Sequence, residues 1–134
     1  MNEAEARAYV GRNHRGVLAT LKRDGRPQLS SVVYLLDDDG DVKISVTRDR
    51  AKTRNARRDP RVSLTVLGDN FYEYVTVEGT ARIVENAAEA LPLLRHVYRG
   101  VSGEHPDWDE FDAAMTRDGR VVLAIRIERL YPLR

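Results

Sequence analysis

The spacing of apolar residues changes several times along the chain, and each change marks an element. From Asn2 to about Asn13, good helix formers carry a partial apolar stripe of Ala6, Tyr9 and Val10, which predicts a short helix. From Gly16 the period drops to two. Val17, Ala19 and Leu21 alternate there with Leu18, Thr20 and Lys22, the pattern of a strand. Asp24-Gly25 is a hairpin signal, and a second strand rich in β-branched residues is predicted from about Pro27 to Leu36. Asp37-Asp38-Asp39-Gly40 makes another turn before a third strand, Asp41 to Thr47. Three strands joined by tight turns read as an antiparallel meander.

Strand alternation then stops. Arg50 to Arg58 reads as a short helix, with Asp49 as its N-cap and Asp59-Pro60 as its stop. A fourth strand, Arg61 to Leu67, sets Val62, Leu64 and Val66 on one face. Beyond Gly68-Asp69-Asn70, a long fifth strand runs from about Tyr72 to Val84. It places Val75, Val77, Ala81 and Ile83 on one face and Tyr72, Tyr74, Thr76 and Glu78 on the other. Asn86 to Arg99 has helical spacing, with Asn86 and Glu89 as a capping pair and Pro92 as the site of a kink or restart. A loop, Gly100 to Pro106, leads to a short acidic helix around Trp108 to Met115, anchored by Trp108, and Arg120 to Tyr131 forms a sixth strand. Six strands with helices between them predict one α+β domain over residues 1–134, mainly β and barrel-like.

Charge sharpens this picture. The chain carries a formal +1 overall, but Arg48, Arg50, Lys52, Arg54, Arg57 and Arg58 face one acid, Asp49, within a single short segment. That concentration suggests one anionic ligand and argues against a nucleic-acid footprint spread over a face. No apolar run approaches a membrane span. The acids at Glu3 and Glu5 do not suit a signal peptide, and the absence of cysteine suits a reducing compartment, so a cytoplasmic location is expected.

Few residues offer catalytic chemistry of their own. His14, His96 and His105 stand far apart in no metal-ligand spacing, so no metal site is expected. The run Glu104-His105-Pro106-Asp107-Trp108-Asp109-Glu110 reads as the acidic first turn of a helix. Phosphate-loop, nucleophile-elbow and dinucleotide fingerprints are missing, and no catalytic residue stands out. The basic helix is the strongest chemical signal. Its first turn offers free N–H groups beside Arg50 and Lys52, with Arg54 one turn above Arg50, which suits a phosphate. The other reading of these charges is a solvated surface helix. Gln28 and Ser30 share one strand face and could hydrogen-bond a heterocycle, while Ser31 points the other way. Tyr72 and Tyr74 suit stacking on a planar ligand or packing at a subunit interface.

At this point the motifs resemble a known family. Gly16-Val17-Leu18-Ala19-Thr20-Leu21-Lys22 followed by Asp24-Gly25-Arg26-Pro27-Gln28-Leu29-Ser30 resembles the opening hairpin of pyridoxamine 5′-phosphate oxidase-like split barrels. Arg50-Ala51-Lys52-Thr53-Arg54-Asn55, with Arg58-Asp59-Pro60 after it, is similar to the phosphate-binding signature of their actinobacterial deazaflavin-dependent branch. Glu78-Gly79-Thr80-Ala81, Tyr98-Arg99, Gly103-Glu104-His105 and Trp108-Asp109 resemble the same branch.

The resemblance implies a six-stranded antiparallel split β-barrel with short flanking helices. It also implies a homodimer with cofactor sites at the interface. It places the cofactor phosphate on Arg50, Lys52 and either Arg54 or Asn55, with Thr53 inside the same motif. The ring system falls near Gln28, Ser30, Ser31 and Ser45, with Tyr72 and Tyr74 approaching from the other subunit. Arg126 and the ending Leu130-Tyr131-Pro132-Leu133-Arg134 depart from the family pattern and are expected to border the substrate pocket. The implied cofactor is coenzyme F420, with hydride transfer from its reduced deazaflavin to a small conjugated or heteroaromatic acceptor. FMN with a pyridoxamine phosphate oxidase-like activity, and cofactor binding without catalysis, are the two alternatives.

Overall fold

A computed structural model describes residues 1–133. The first helix, α1 (Glu3–Arg12), opens with a full capping box between Asn2 and Glu5 and buries Ala6, Tyr9 and Val10. Seven strands follow: β1 (Arg15–Leu21), β2 (Pro27–Val33), β3 (Leu35–Leu36), β4 (Asp41–Thr47), β5 (Arg61–Leu67), β6 (Tyr74–Val84) and β7 (Arg120–Tyr131). The remaining helices are α2 (Ala51–Arg58), α3 (Ala87–Ser102) and α4 (Trp108–Arg117). The strands form one antiparallel sheet in the order β2-β1-β5-β6-β7-β4-β3.

That order explains the shape. β2 and β3 lie at opposite margins of the sheet, yet only Tyr34 separates them in sequence. The sheet therefore curls until its margins meet at Tyr34, whose ring is fully buried and whose hydroxyl donates to the Val10 carbonyl at 2.7 Å. Away from that junction β2 pairs with β1 and β4 with β7, so the barrel is split between β2 and β4. The split β-barrel expected from the resemblance is present.

Two expectations need correction. The predicted second strand is two strands, which makes seven instead of six, because the chain switches partners at Tyr34. For the same reason the meander stops at the β1–β2 hairpin. The strand Asp41–Thr47 pairs with β3 and β7 and has no ladder to β2.

Alternation accounts for the interior. Leu18, Ile44, Val46, Leu64, Val66, Val75, Val77, Leu123 and Ile125 fill the barrel, with Ala6, Tyr9 and Val10 of α1 plugging it. Val122 points the opposite way on β7 and joins Val84, Ala90, Leu94 and Phe111 in a second cluster beneath α3 and α4. Both faces of β7 are covered, so its sequence Val-Val-Leu-Ala-Ile is apolar without a break. An irregularity between Glu78 and Gly79 makes Glu128 the extra residue on β7, which turns Leu130 back into the barrel core. A Cβ at Gly79 would strike the Arg126 carbonyl, so the close approach of β7 requires glycine there.

Helix α3 passes through Pro92 without a restart. Ala88 and Pro92 are both exposed, so water can satisfy the carbonyl that proline leaves free. Asn86 caps the helix with its side chain on the Ala88 N–H at 2.9 Å, and the side-chain bonds of the expected pair with Glu89 are not formed. The helix runs into the predicted loop and stops at Gly103, whose φ of 85° suits a residue without Cβ. Among the described residues no helix is long and apolar enough to cross a membrane.

Candidate functional site

The split between β2 and β4 opens into a cavity of about 480 Å³. One wall belongs to the barrel and is polar: Ser31 from β2, Ser45 from β4, Lys52 from α2 and Arg120 from the start of β7. The facing wall belongs to α3 and α4 and is largely apolar, with Leu94, Val97, Tyr98, Phe111 and Met115. Volume and lining are those of a small-molecule site, a mostly apolar hollow with a few convergent polar groups.

The charges in this cavity are of one sign. Lys52 and Arg120 are the charged side chains among its lining residues, and neither has an acidic partner among the described residues. Burial, then the positive charges of Arg50 and Arg120, pull the Lys52 ammonium below the usual lysine range. Arg120 is held by one long contact, Nη1 to the Ser45 carbonyl at 3.4 Å, while its Nε is buried without a partner. Arg50 caps α2 through its extended backbone and makes no side-chain cap bond. The first N–H groups of α2 are thus left beside these cations, an arrangement that favours an anion. Asp49, expected as the cap, lies outside the helix in the preceding turn.

The basic helix divides its residues between two hollows. Lys52 faces the split cavity, whereas Arg54 and Asn55 line a second, shallower hollow with Lys22, Arg23, Gln28 and Arg58. Gln28 therefore sits with Arg54 and Asn55, away from Ser31 and Ser45. Thr53 is fully buried and donates to the Thr47 carbonyl at 2.8 Å, which anchors the start of α2. Asn55 donates to Thr20 Oγ1 at 3.2 Å and accepts from Arg58 at 3.1 Å, tying the helix to β1. Arg57 and Arg48 both pair with Glu85, at 2.6 and 3.7 Å, so one carboxylate offsets part of these two charges. Arg50 is exposed and lines neither hollow.

Other residues singled out in the sequence stand apart. Ser30 Oγ is buried without a partner and lies outside both hollows, with Ser30 and Ser31 on opposite faces of β2 as alternation predicts. Tyr72 is not on β6. It belongs to the preceding turn and is 89% exposed, in edge contact with Phe71. Tyr74 is half-exposed at the first position of β6, and neither tyrosine lines the cavity. Arg126 borders a separate hollow on the outer sheet face with Asp41 and Arg82, and Leu130 is core; Arg134 lies outside the described residues. Glu104 accepts from Arg99 at 2.7 Å and Trp108 at 3.3 Å, and Asp107 caps α4, which accounts for the acidic run. Trp108 packs edge-on against Tyr98 and Phe111, partly buried, as the anchor expected of it.

Sequence reasoning missed Arg120 and, apart from Tyr98, the apolar wall. A cation directly before the apolar run Val121 to Ile125 was the available signal for Arg120. The wall residues carried only the spacing of an amphipathic helix, which packing alone explains.

The sequence matches the family profile described as pyridoxamine 5′-phosphate oxidase over residues 3–134. The structure is similar to that of a conserved hypothetical protein from Mycobacterium tuberculosis, at 31% identity and a TM-score of 0.76, over 97% of this chain and 82% of that one. It is also similar to an F420 reductase at 25% identity and a TM-score of 0.72, over 92% of this chain and 94% of that one. An FAD-binding protein from Mesorhizobium loti shares the fold at 21% identity and a TM-score of 0.73, over 97% and 92% of the two chains. Matched along nearly its whole length, and folded as a split barrel with a cavity at the split, the chain belongs to the pyridoxamine 5′-phosphate oxidase family of oxidoreductases.

Proposed function

We propose that the protein is a reductase that binds coenzyme F420 and passes hydride to a small conjugated or heteroaromatic acceptor. The observation that carries this reading is the polarity of the split cavity. Uncompensated cations, Lys52 and Arg120, stand at one wall and a broad apolar wall faces them. A planar ring with a phosphate-bearing side chain has that distribution of polarity. When bound, the reduced deazaflavin supplies the hydride from its C5. The protein is left to bind, orient and exclude water, which fits the lack of an acid–base constellation. Lys52 holds negative charge at the barrel wall, Ser31 and Ser45 offer hydrogen bonds to a ring edge, and Leu94, Val97 and Met115 keep the opposite side dry.

The second hollow favours F420 over FMN. It gathers Lys22, Arg23, Arg54 and Arg58 on the far side of α2, and among the described residues none of the four has an acidic partner. F420 carries a phosphodiester and a glutamate-bearing tail, which present more negative charge than FMN's single phosphate. Similarity to an F420 reductase points the same way. Side-by-side titration with F420 and FMN tests the proposal. F420 should bind more tightly at low salt, and its advantage should shrink as salt rises, because half-exposed charges are screened over roughly 10 Å at 0.1 M salt. Equal or tighter binding of FMN at low salt would reassign the protein to flavin chemistry. Tight F420 binding without turnover of any acceptor would make it a binding protein.

A further inference from the structure

Arg120 is fixed in position by its neighbours. It pairs with Thr47 across the β4–β7 ladder, and Gly119 before it accepts the Arg48 N–H at 2.9 Å. Thr47 in turn accepts from Thr53 at 2.8 Å, so the guanidinium and the first turn of α2 are tied to the same strand end. The side chain is underused. Its Nη1 contact to the Ser45 carbonyl, at 3.4 Å, is at the long limit of a hydrogen bond. Its Nε is buried and has no acceptor among the described residues. One acid, Glu85, shares a small crevice with Arg120, but its carboxylate is held by Arg57 at 2.6 Å and approached by Arg48 at 3.7 Å.

With Nη1 turned to Ser45 and Nε buried, Nη2 remains as the accessible donor of the guanidinium. That group presents charged N–H donors suited to one oxygen of a phosphate. Lys52 lies on the same cavity wall and also lacks a counter-charge. A buried, unpaired cationic donor is unfavourable unless something else satisfies it.

We infer that Arg120 is a second grip on the phosphate of the bound cofactor, acting beside Lys52, and that the pair makes the site select phosphorylated over unphosphorylated ring ligands. This rests on the cofactor reading above. The two can be separated by measuring the affinity of FMN against riboflavin, and of F420 against its phosphate-free deazariboflavin chromophore, in the parent protein and in Arg120→Gln. The parent should prefer the phosphorylated member of at least one pair. Arg120→Gln should lose about ten- to a hundredfold for that member, the usual effect of removing one charged hydrogen-bond partner, and leave the unphosphorylated one unchanged. Arg120→Lys, which keeps the charge and loses the guanidinium's reach and geometry, should fall between. Displacement of the bound ligand by inorganic phosphate should weaken in parallel. Equal losses for both members of a pair would make Arg120 structural, and no loss would leave it a bystander; either result overturns the inference while the cofactor reading stands. A parent protein that binds none of the four ligands, or favours neither phosphorylated form, would overturn both.

Discussion

Lys52 shows how position decides what a charge can do. Residues two apart on a helix diverge by about 200° around its axis, so Lys52 and Arg54 face different hollows although one basic motif holds both. Helical spacing contains that divergence, but only the fold shows that a cavity lies on each side. Within the same motif Thr53 and Asn55 turn inward to hold α2 in place, bonds that depend on Thr47 and Thr20 and have no trace in local sequence. Lys52→Ala should weaken binding of the phosphorylated cofactor by about ten- to a hundredfold, since a charged hydrogen bond contributes about 1.5–3 kcal/mol. Arg50→Ala should do less, because its side chain is exposed and lines neither hollow. The pH response separates them further. The Lys52 ammonium is held below the ordinary value of 10.5, so it loses its charge earlier than a free lysine as pH rises. Affinity for the anionic ligand should therefore fall along an alkaline limb below that value, and Lys52→Ala should abolish the limb. Fluorescence titrations at several pH values read this directly, and an alkaline limb unchanged in Lys52→Ala would show that another group titrates.

Elements were legible where their pattern was local and obscure where it depended on closure. The helices and most strand cores follow from apolar spacing, and Gly25 and Gly40 occupy their turns at φ of 85° and 89°. The break at Tyr34 was hidden because Val32, Val33, Leu35 and Leu36 continue the β-branched and aliphatic run on both sides of it. What holds the short β3–β4 hairpin in place is electrostatic. Lys43 is buried, with Nζ 2.8 Å from both Asp37 and Asp39, and His96 of α3 reaches Asp37 at 2.8 Å. This network ties the helix forming the apolar cavity wall to the closing corner of the barrel. Burial pushes the Asp37 carboxyl up, but hydrogen bonds from Lys43, His96 and the Asp38 N–H, with the Lys43 charge, hold it at about 2 against an ordinary 3.8. Because the folded value is the lower one, the stabilisation is complete above about 3.8 and is lost as pH falls towards 2. The difference corresponds to about 2 kcal/mol at neutral pH. Asp37→Asn should lower stability by at least that much near neutrality, since Lys43 also loses a partner, and match the parent near the bottom of the acid range. Urea unfolding at the two extremes decides it; a deficit that persists undiminished in acid would point to packing.

At the scale of the whole molecule, the sequence pattern indicated a small antiparallel barrel, whereas the split and its cavity depend on which strands meet, and that is set by contacts distant in sequence. The surface then raises a question of assembly. Leu29 and Val33 are 62% and 51% exposed on the outer face of β2, and Phe71 and Tyr72 are 81% and 89% exposed in the turn before β6. Exposed apolar side chains of this size suit an interface when they form a continuous patch, and Val33 also lines the cavity. The expected state is a homodimer in which each cavity is completed by aromatic residues of the other subunit, Tyr74 and Tyr72 foremost. Neither lines the cavity within one chain, so a role for them in binding requires a second copy. Light scattering should therefore report twice the mass of one 15.2 kDa chain, with or without cofactor. Subunit mixing is more decisive. In a heterodimer of a Lys52→Ala chain and a Tyr74→Ala chain, a shared site places both lesions in one cavity and leaves the other intact, so one of its two sites should bind normally. If Tyr74 instead served the cavity of its own chain, each site would carry one lesion and no normal site would return. Two weak parents that regain parent-like affinity on mixing would thus place Tyr74 across the interface, and a stable monomer with full affinity would remove the shared site altogether.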